Sequence, residues 1–179
     1  IEAERTMLAA TNNVNTHKGA IYSMGLLCAA KAMELEARGE QVCMSAASIA
    51  KLLSVQNSHS HGDSVRRRFP KAGPREEAYG GFPNVRMALD MLLSGRTREE
   101  ALLKLMNVMD DSNVLWRGGE QGLEFIKKES AKILNAPAEK RRVMLSEFNT
   151  ECIRRRLSPG GAADILAAAL FLQSVEPGS

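Results

Sequence analysis

The chain has 179 residues, 44% of them hydrophobic and 25% charged, which suits one globular domain and argues against a disordered or membrane-spanning chain. Its apolar residues are mainly Ala, Leu and Met, with only 4% aromatics, a mixture that favours helix over strand. The 24 basic and 21 acidic residues leave a net charge of +3, which is too small to indicate general nucleic-acid binding.

The first half of the chain is predicted to form three helices. Apolar residues recur at helical spacing over 19–38, and Gly39 follows where a left-handed C-terminal cap is expected. Ser45 can cap a second helix, which ends before a polar stretch over 56–62. A turn-rich segment leads from there to a third helix over 84–93.

The second half begins with a glycine stop and a capping box. Gly95 ends the third helix, and Thr97 followed by Glu100 is a capping box, because each side chain can bond to the backbone N–H of the other. No segment alternates with a period of two, so we predict an all-α fold, a multi-helix bundle whose polar, glycine-rich inter-helix loops converge on one ligand site. The further predicted elements are a polar loop over 110–119 and helices over 120–135, 138–156 and 162–175.

The cysteines and the apolar runs indicate the compartment. The three cysteines lie far apart and form no CxxC pair, so we predict neither a disulfide framework nor a zinc site. No signal peptide and no apolar run of membrane-spanning length is evident. The cytoplasm is therefore the expected location, and residues 1–179 are expected to form a single all-helical domain.

The polar loop over 11–19 reads TNNVNTHKG and runs directly into the first predicted helix. Free amides at a helix N-terminus, with Lys18 beside them, form a good seat for phosphate oxygens. A simple helix cap by Thr16, with the asparagines in a turn, explains the same residues. Local chemistry supports the phosphate site and the cap equally well. The candidates in this loop are Asn15, Thr16, Lys18 and Gly19 for phosphate binding and His17 for catalysis.

Three later loops carry the remaining candidates. The second loop combines Arg75 with Glu77 among tight-turn residues. The third, over 110–119, supplies carboxylates suited to Mg²⁺ and Arg117 suited to phosphate. A helix end followed by an Asx turn explains the same residues without any function. The fourth, a Ser-Pro-Gly-Gly turn, leads into a helix near Asp164, where an aspartate also compensates the helix dipole without any function. The further phosphate-binding candidates are Asn113, Gly118, Gly119, Ser158, Gly160 and Gly161.

Taken together, these motifs resemble the triphosphoribosyl-dephospho-CoA synthase family. The resemblance is carried by NTHKG at 15–19, by DSN and RGGE within 111–120, and by LSPGG at 157–161 followed by Asp164, in the family's order and spacing. It continues through GLLCAA at 25–30 and covers nearly the whole chain. Family members carry an additional N-terminal region with a Pro-Lys-Pro-Gly type motif, so we expect this chain to be the C-terminal portion of a longer synthase.

The resemblance implies a transferase. ATP and 3′-dephospho-CoA would yield 2′-(5″-triphosphoribosyl)-3′-dephospho-CoA and free adenine, and the product is the precursor of the acyl carrier prosthetic group of citrate lyase or malonate decarboxylase. Mg²⁺ is the expected cofactor, and an acyl carrier protein subunit, reached through a separate transferase, is the downstream partner. A homodimer is one possible assembly, and the chain is expected to bind neither nucleic acid nor a membrane.

The implied reaction sets three demands on the site. The triphosphate charge is expected to be neutralised by Lys18, Arg75 and Arg117 together with Mg²⁺, for which Asp111 is the candidate ligand. Carboxylates are needed beside the sugar and as the general base, and their division of roles stays open. A histidine could donate a proton to adenine or merely orient phosphate. The candidate catalytic residues are Asp111, Asp164, His17 and Glu77.

Two other functions are also considered. A non-catalytic relative that binds a nucleotide or a protein partner would bind without releasing adenine. The other hypothesis is nucleic-acid binding through the arginine run at 154–156, although such a run more often marks the solvated end of a helix.

Overall fold

The computed structural model describes residues 2–12, 17–54 and 73–176. Within these ranges all regular structure is helical and no strand is present, which confirms the all-α prediction. None of the described helices has the length and apolarity needed to cross a membrane. The helices are α1 Glu2–Ala10, α2 Lys18–Met33, α3 Gly39–Ser54, α4 Pro74–Tyr79, α5 Pro83–Leu93, α6 Arg98–Val108, α7 Ser112–Leu134, α8 Ala138–Arg154 and α9 Gly160–Ser174.

Helix α9 lies at the centre of the main core. Its sequence, GGAADILAAALFLQS, is apolar on almost every side, so other helices can cover it from several directions at once. It packs against α2, α5 and α6 and also touches α7. Ala162, Ala168 and Ala169 are fully buried along it, and their small side chains let the neighbouring helices approach closely. The start of α9 is thereby brought next to helices that are distant in sequence.

A second apolar cluster joins α6, α7 and α8. Ile126 and Phe148 are buried within it, and the ring of Phe148 lies 5.9 Å, centroid to centroid, from that of Phe125. Val114, near the start of α7, and Leu157, which follows α8, belong to the same cluster. The turn that leads into α9 is therefore held against the first turns of α7.

The helix predicted over 19–38 forms, but its predicted end and the cap at Gly39 are wrong. Helix α2 ends at Met33, and the turn after it is closed by Lys31, whose Nζ donates to the carbonyl of Ala37 at 2.7 Å. Gly39 begins α3, and its N–H donates to Oε1 of Glu176 at 2.6 Å. A partner 137 residues away thus decides that this glycine starts a helix, which local sequence signals cannot reveal.

The second predicted helix start is also wrong. Ser45 lies inside α3 and caps nothing, because the helix has already begun six residues earlier. The polar stretch 56–62 lies outside the described residues. Two of the described helices, α1 and the short α4, were not predicted from the sequence.

The predicted loop over 110–119 is largely helical. Asp111 is the N-cap of α7, and the helix begins at Ser112. Gly119 has φ 61° and ψ −161°, a conformation essentially restricted to glycine, and it kinks α7 instead of separating a loop from a helix. The pair of glycines that suggested a loop therefore marks a bend within one helix.

The capping box is confirmed. The Oγ1 of Thr97 accepts the N–H of Glu100 at 3.1 Å, and Oε2 of Glu100 accepts the N–H of Thr97 at 3.1 Å. Gly95, with φ 80°, follows α5 as predicted. These signals depend only on residues close in sequence, and they position the start of α6. Helices α8 and α9 also form within two residues of their predicted bounds.

Candidate functional site

The starts of α2, α7 and α9 meet at one place. The clearest link between the first and the last is Gly19, because a Cβ added there would collide with Oδ2 of Asp164. The start of α7 meets α9 through Asp111, which bonds to Ala162. Each helix start presents backbone N–H groups and the positive end of its dipole. The positive ends of three helix dipoles therefore surround two carboxylates, Asp111 and Asp164.

Asp111 caps two helices at once. Its Oδ1 accepts the N–H groups of Asn113 at 2.8 Å and Val114 at 3.3 Å, both in α7. Its Oδ2 accepts the N–H of Ala162 in α9 at 3.0 Å, and the N–H of Gly161 also bonds to this carboxylate. Burial to 3% exposure raises the pKa of Asp111, and these amide donors act against that rise. Asp111 therefore ties the start of α7 to the start of α9.

Asp164 has a more open environment. It is half-buried, one turn into α9, and the backbone N–H of Ala20 in α2 donates to it. Burial raises the pKa of Asp164 to about 6, with Ala20 and His17 acting to lower it and the charge of Asp111 acting to raise it. A carboxylate with such a pKa is mostly ionised at neutral pH and can still take up a proton, which suits a general base.

His17 and Lys18 lie on the α2 side of the site. His17 is the N-cap residue of α2, exposed and close enough to Asp164 to influence its pKa. Lys18 is exposed, and its Nζ lies 2.5 Å from Oε1 of Glu4 in α1. Lys18 therefore reaches the surface beside the helix start, but a carboxylate of the same chain engages it.

Arg75 approaches the same helix from α4. Burial raises the pKa of Tyr22, the neighbouring hydroxyl of Tyr79 raises it further, and the positive charge of Arg75 lowers it, so these groups lie close together. Tyr22 stands four residues after Lys18, which places both on one face of α2. Arg75 therefore lies near the Tyr22 hydroxyl, on the face of α2 that also carries Lys18.

The α7 side carries exposed polar residues. Asn113 and Arg117 are exposed on the first turns of α7, and a Cβ on Gly160 would lie 2.8 Å from Nδ2 of Asn113. Gly118 packs so closely on Leu157 that a Cβ there would collide with it. Of the other predicted residues, Gly119 lies at the kink and Ser158 is exposed in the turn before α9. A Cβ on Gly161 would lie only 3.0 Å from the carboxyl of Asp111.

Glu77 is used elsewhere in the fold. Its Oε1 accepts the N–H groups of Asn84 at 2.7 Å and Val85 at 3.1 Å, and its Oε2 accepts Nδ2 of Asn84 at 2.6 Å. Burial raises the pKa of Glu77, and these donors oppose the rise. Its hydrogen bonds cap the start of α5 and do not involve the three helix starts of the site.

Several groups at the three helix starts were not predicted from the sequence. Tyr22 could have been found from its spacing to Lys18, and Glu4 had no signal. The amides of Ala20 and Ala162 are backbone groups, which sequence motifs do not report. Asn15 and Thr16, both predicted to bind phosphate, lie outside the described residues.

Asp111, the predicted magnesium ligand, does not fit that role. No group of three or more His, Cys, Asp or Glu side chains among them is arranged to hold a metal. Asp111, the predicted ligand, has both oxygens occupied by backbone N–H groups and is almost fully buried. Mg²⁺ at a nucleotide site takes one or two carboxylate ligands that can reach it, and the oxygens of Asp111 are already committed to amide donors, so this carboxylate does not suit it.

Comparisons with known proteins agree with one another. The family model described as ATP:dephospho-CoA triphosphoribosyl transferase matches residues 1–179. A protein of Pseudomonas syringae pv. syringae named as a probable 2-(5''-triphosphoribosyl)-3'-dephosphocoenzyme-A synthase is 39% identical over 191 residues, covering 98% of this chain and 66% of the relative. A protein of the same name from Azotobacter vinelandii is 40% identical, with 98% and 66% covered. The chain therefore spans slightly less than two thirds of the length of these relatives.

A solved structure shares the fold. It comes from Archaeoglobus fulgidus, is named as a triphosphoribosyl-dephospho-coA synthase, and aligns with a TM-score of 0.66 at 17% identity. The alignment covers 96% of this chain and 88% of that one. At such low identity the match supports the helical architecture alone.

Proposed function

Because the chain belongs to the ATP:dephospho-CoA triphosphoribosyl transferase family, we propose that it carries the part of a synthase that transfers the triphosphoribosyl group of ATP to dephospho-CoA and releases adenine. The observation that supports this most is the pair Asp111 and Asp164 beside three converging helix starts. A triphosphate needs a positive seat, and a glycosyl transfer needs a base beside it. This arrangement provides both.

Asp164 is the proposed general base. As the 2′-oxygen of dephospho-CoA forms its bond to the anomeric carbon of ATP, the hydroxyl proton passes to Asp164. The bond from that carbon to the adenine nitrogen breaks, and its electron pair leaves with adenine. His17, exposed at the start of α2, can supply the proton that adenine takes up. Asp111 holds α7 and α9 together, and its negative charge lies close enough to Asp164 to raise that group's pKa.

The triphosphate is proposed to bind at the helix starts. Lys18 on α2 and Arg117 on α7 are exposed there, and Arg75 on α4 lies near the Tyr22 hydroxyl of α2. Lys18 would exchange its bond with Glu4 for one with phosphate. The remaining proposed donors are the backbone N–H groups of Gly19 and Gly160 and the exposed side chains of Asn113 and Ser158. The N–H groups of Asn113 and Gly161 already bond to Asp111, and Gly118 and Gly119 lie within α7, so these amides hold the site together instead.

No residue of the chain is proposed as a magnesium ligand. We propose that it arrives with the nucleotide as MgATP, since Asp111 does not suit a metal ligand. Both substrates are metabolites of the cytoplasm, where we place the reaction. The acyl carrier subunit of citrate lyase or malonate decarboxylase remains the predicted destination of the product.

Adenine release tests the proposal directly. A protein spanning the full length of the relatives is mixed with MgATP and dephospho-CoA, and free adenine is measured by chromatography, with CoA as the control acceptor. We expect adenine only with dephospho-CoA. Folded protein that binds ATP without releasing adenine would favour a non-catalytic relative.

Replacing the proposed base gives the first mutational prediction. Asp164→Asn removes the proton acceptor and should lower the rate of adenine release by about 100-fold or more, since a positioned base contributes on the order of 10²–10⁴ in rate. The matched control is Asp90→Asn, which changes an exposed aspartate on α5. Circular dichroism should be the same for both variants. Wild-type turnover in Asp164→Asn would eliminate Asp164 as the base.

A further inference from the structure

Trp116 is the single tryptophan of the chain, and its side chain is 70% exposed. Other large rings are buried, such as Phe82 in the main core and Phe148 in the second cluster. An indole offers more apolar area than any other side chain, so leaving it in water gains nothing for folding. The fold therefore does not explain why an indole stands at this position.

The position of Trp116 relates it to the candidate site. Within the first turns of α7, Val114 and Leu115 are buried, whereas Asn113, Trp116 and Arg117 are all exposed. Residues three and four apart are neighbours on a helix surface, so these three share the outward face.

The same face borders the start of α9. A Cβ on Gly160 would lie only 2.8 Å from Nδ2 of Asn113. Asn113 therefore lies against the helix that carries Asp164 four residues later. Trp116 stands one helical turn beyond Asn113, within reach of a nucleotide whose phosphates lie at the helix starts.

We propose that Trp116 is a stacking platform for the adenine ring of a substrate, an inference that rests on the proposed transferase function. An exposed indole face matches a purine in size and flatness, and bases stack on aromatic side chains without sequence-specific hydrogen bonds. Arg117, the next residue, is placed to contact phosphate. Adenine is present in both ATP and dephospho-CoA, so the experiment must tell the two sources apart.

Fluorescence provides the binding test, because Trp116 is the single tryptophan of these 179 residues. ATP or dephospho-CoA is titrated into the full-length protein, with Trp116→Phe as the blank for any tryptophan contributed by the rest of that protein. Tripolyphosphate and pantetheine, which lack adenine, are the control ligands. Quenching by one or both adenine ligands, and not by the controls, is expected. No quenching by either adenine ligand at concentrations that saturate turnover would overturn the proposal, as would equal quenching by tripolyphosphate.

Kinetics provide the second test. Trp116→Ala should raise KM about 10-fold for the substrate whose adenine stacks, with kcat and melting temperature unchanged. Trp116→Phe should restore most of the affinity. Val143→Ala, which shortens another exposed apolar side chain on α8, is the matched control and should change neither constant.

The kinetic outcomes distinguish the stacking role of Trp116 from the proposed transferase function. A raised KM for ATP alone places the donor's adenine on the indole, and a raised KM for dephospho-CoA alone places the acceptor's there. Unchanged KM values in Trp116→Ala would reject stacking, as would a KM in Trp116→Phe raised as much as in Trp116→Ala. In either case adenine release by the wild type would still support the transferase function. Quenching by ATP in a protein that releases no adenine would do the reverse.

Discussion

At the scale of single residues, the two carboxylates of the site differ in their surroundings. Asp111 is almost fully buried and receives N–H donors from two helices, so its oxygens are committed to the fold. Asp164 is half-buried and receives the N–H of Ala20. Environments that separate two carboxylates in this way commonly assign them different roles. We therefore infer a structural role for Asp111 and a chemical one for Asp164.

This difference predicts a pH dependence. Adenine release should rise with a midpoint near pH 6, because Asp164 must lose its proton before it can act as a base. Stability should move the opposite way. The pKa of Asp164 rises from 3.8 to about 6 on folding, so its stabilising contribution is complete below pH 3.8 and is lost as the pH rises through 6.

The comparison with Asp164→Asn isolates this residue. Asp111 and Glu77 also have raised pKa values, and His17 lies near Asp164, so the wild-type curve contains several titrations. The difference in unfolding midpoint between wild type and variant, measured in urea at several pH values, removes the shared ones. A difference that stays constant between pH 4 and pH 7 would contradict the assignment.

At the scale of elements, α7 shows what local sequence signals can and cannot predict. The capping box of α6 was predictable because Thr97 and Glu100 are three residues apart and satisfy each other. The start of α7 was not, because Asp111 also bonds to Ala162, 51 residues away. The sequence identified residues that the fold brings together at the site, but it did not show which of them hold the helices in place.

The kink in α7 gives a prediction at this scale. Gly119→Ala should lower the free energy of unfolding by about 1–3 kcal/mol, because its φ and ψ are strained for any residue with a Cβ. Gly25→Ala is the matched control, since this exposed glycine of α2 has open space around it and alanine favours helix by about 1 kcal/mol. Urea unfolding should therefore show opposite signs for the two variants. A loss of the same size in both would argue against the kink.

At the scale of the whole molecule, α9 organises both the core and the site. Its apolar sequence predicted a buried helix but not its neighbours, since any amphipathic helix could have covered it. The contacts with α2, α5, α6 and α7 depend on side-chain packing between residues far apart in the chain. The all-α class was therefore within reach of sequence analysis, whereas the arrangement of the helices was not.

Crowding α9 tests this arrangement. Ala168→Leu inserts a larger side chain at a fully buried position and should cost about 1–3 kcal/mol of stability, and it should also slow adenine release by displacing Asp164. Ala167→Leu makes the same change at the exposed neighbouring position and should alter stability by no more than about 0.5 kcal/mol. Thermal unfolding and the adenine assay measure both effects. Equal behaviour of the two variants would mean that α9 is not enclosed as described.

The central position of α9 also affects biosynthesis. This helix follows every other described helix in the chain, so the ribosome completes α2, α5 and α6 before their shared partner has been made. Until then the surfaces of these helices that pack on α9 are uncovered, and nascent chains with exposed apolar surfaces are prone to aggregate. Ribosome-bound chains stalled before residue 160 should therefore depend on chaperones, and that dependence should end once the last turn of α9 has left the exit tunnel.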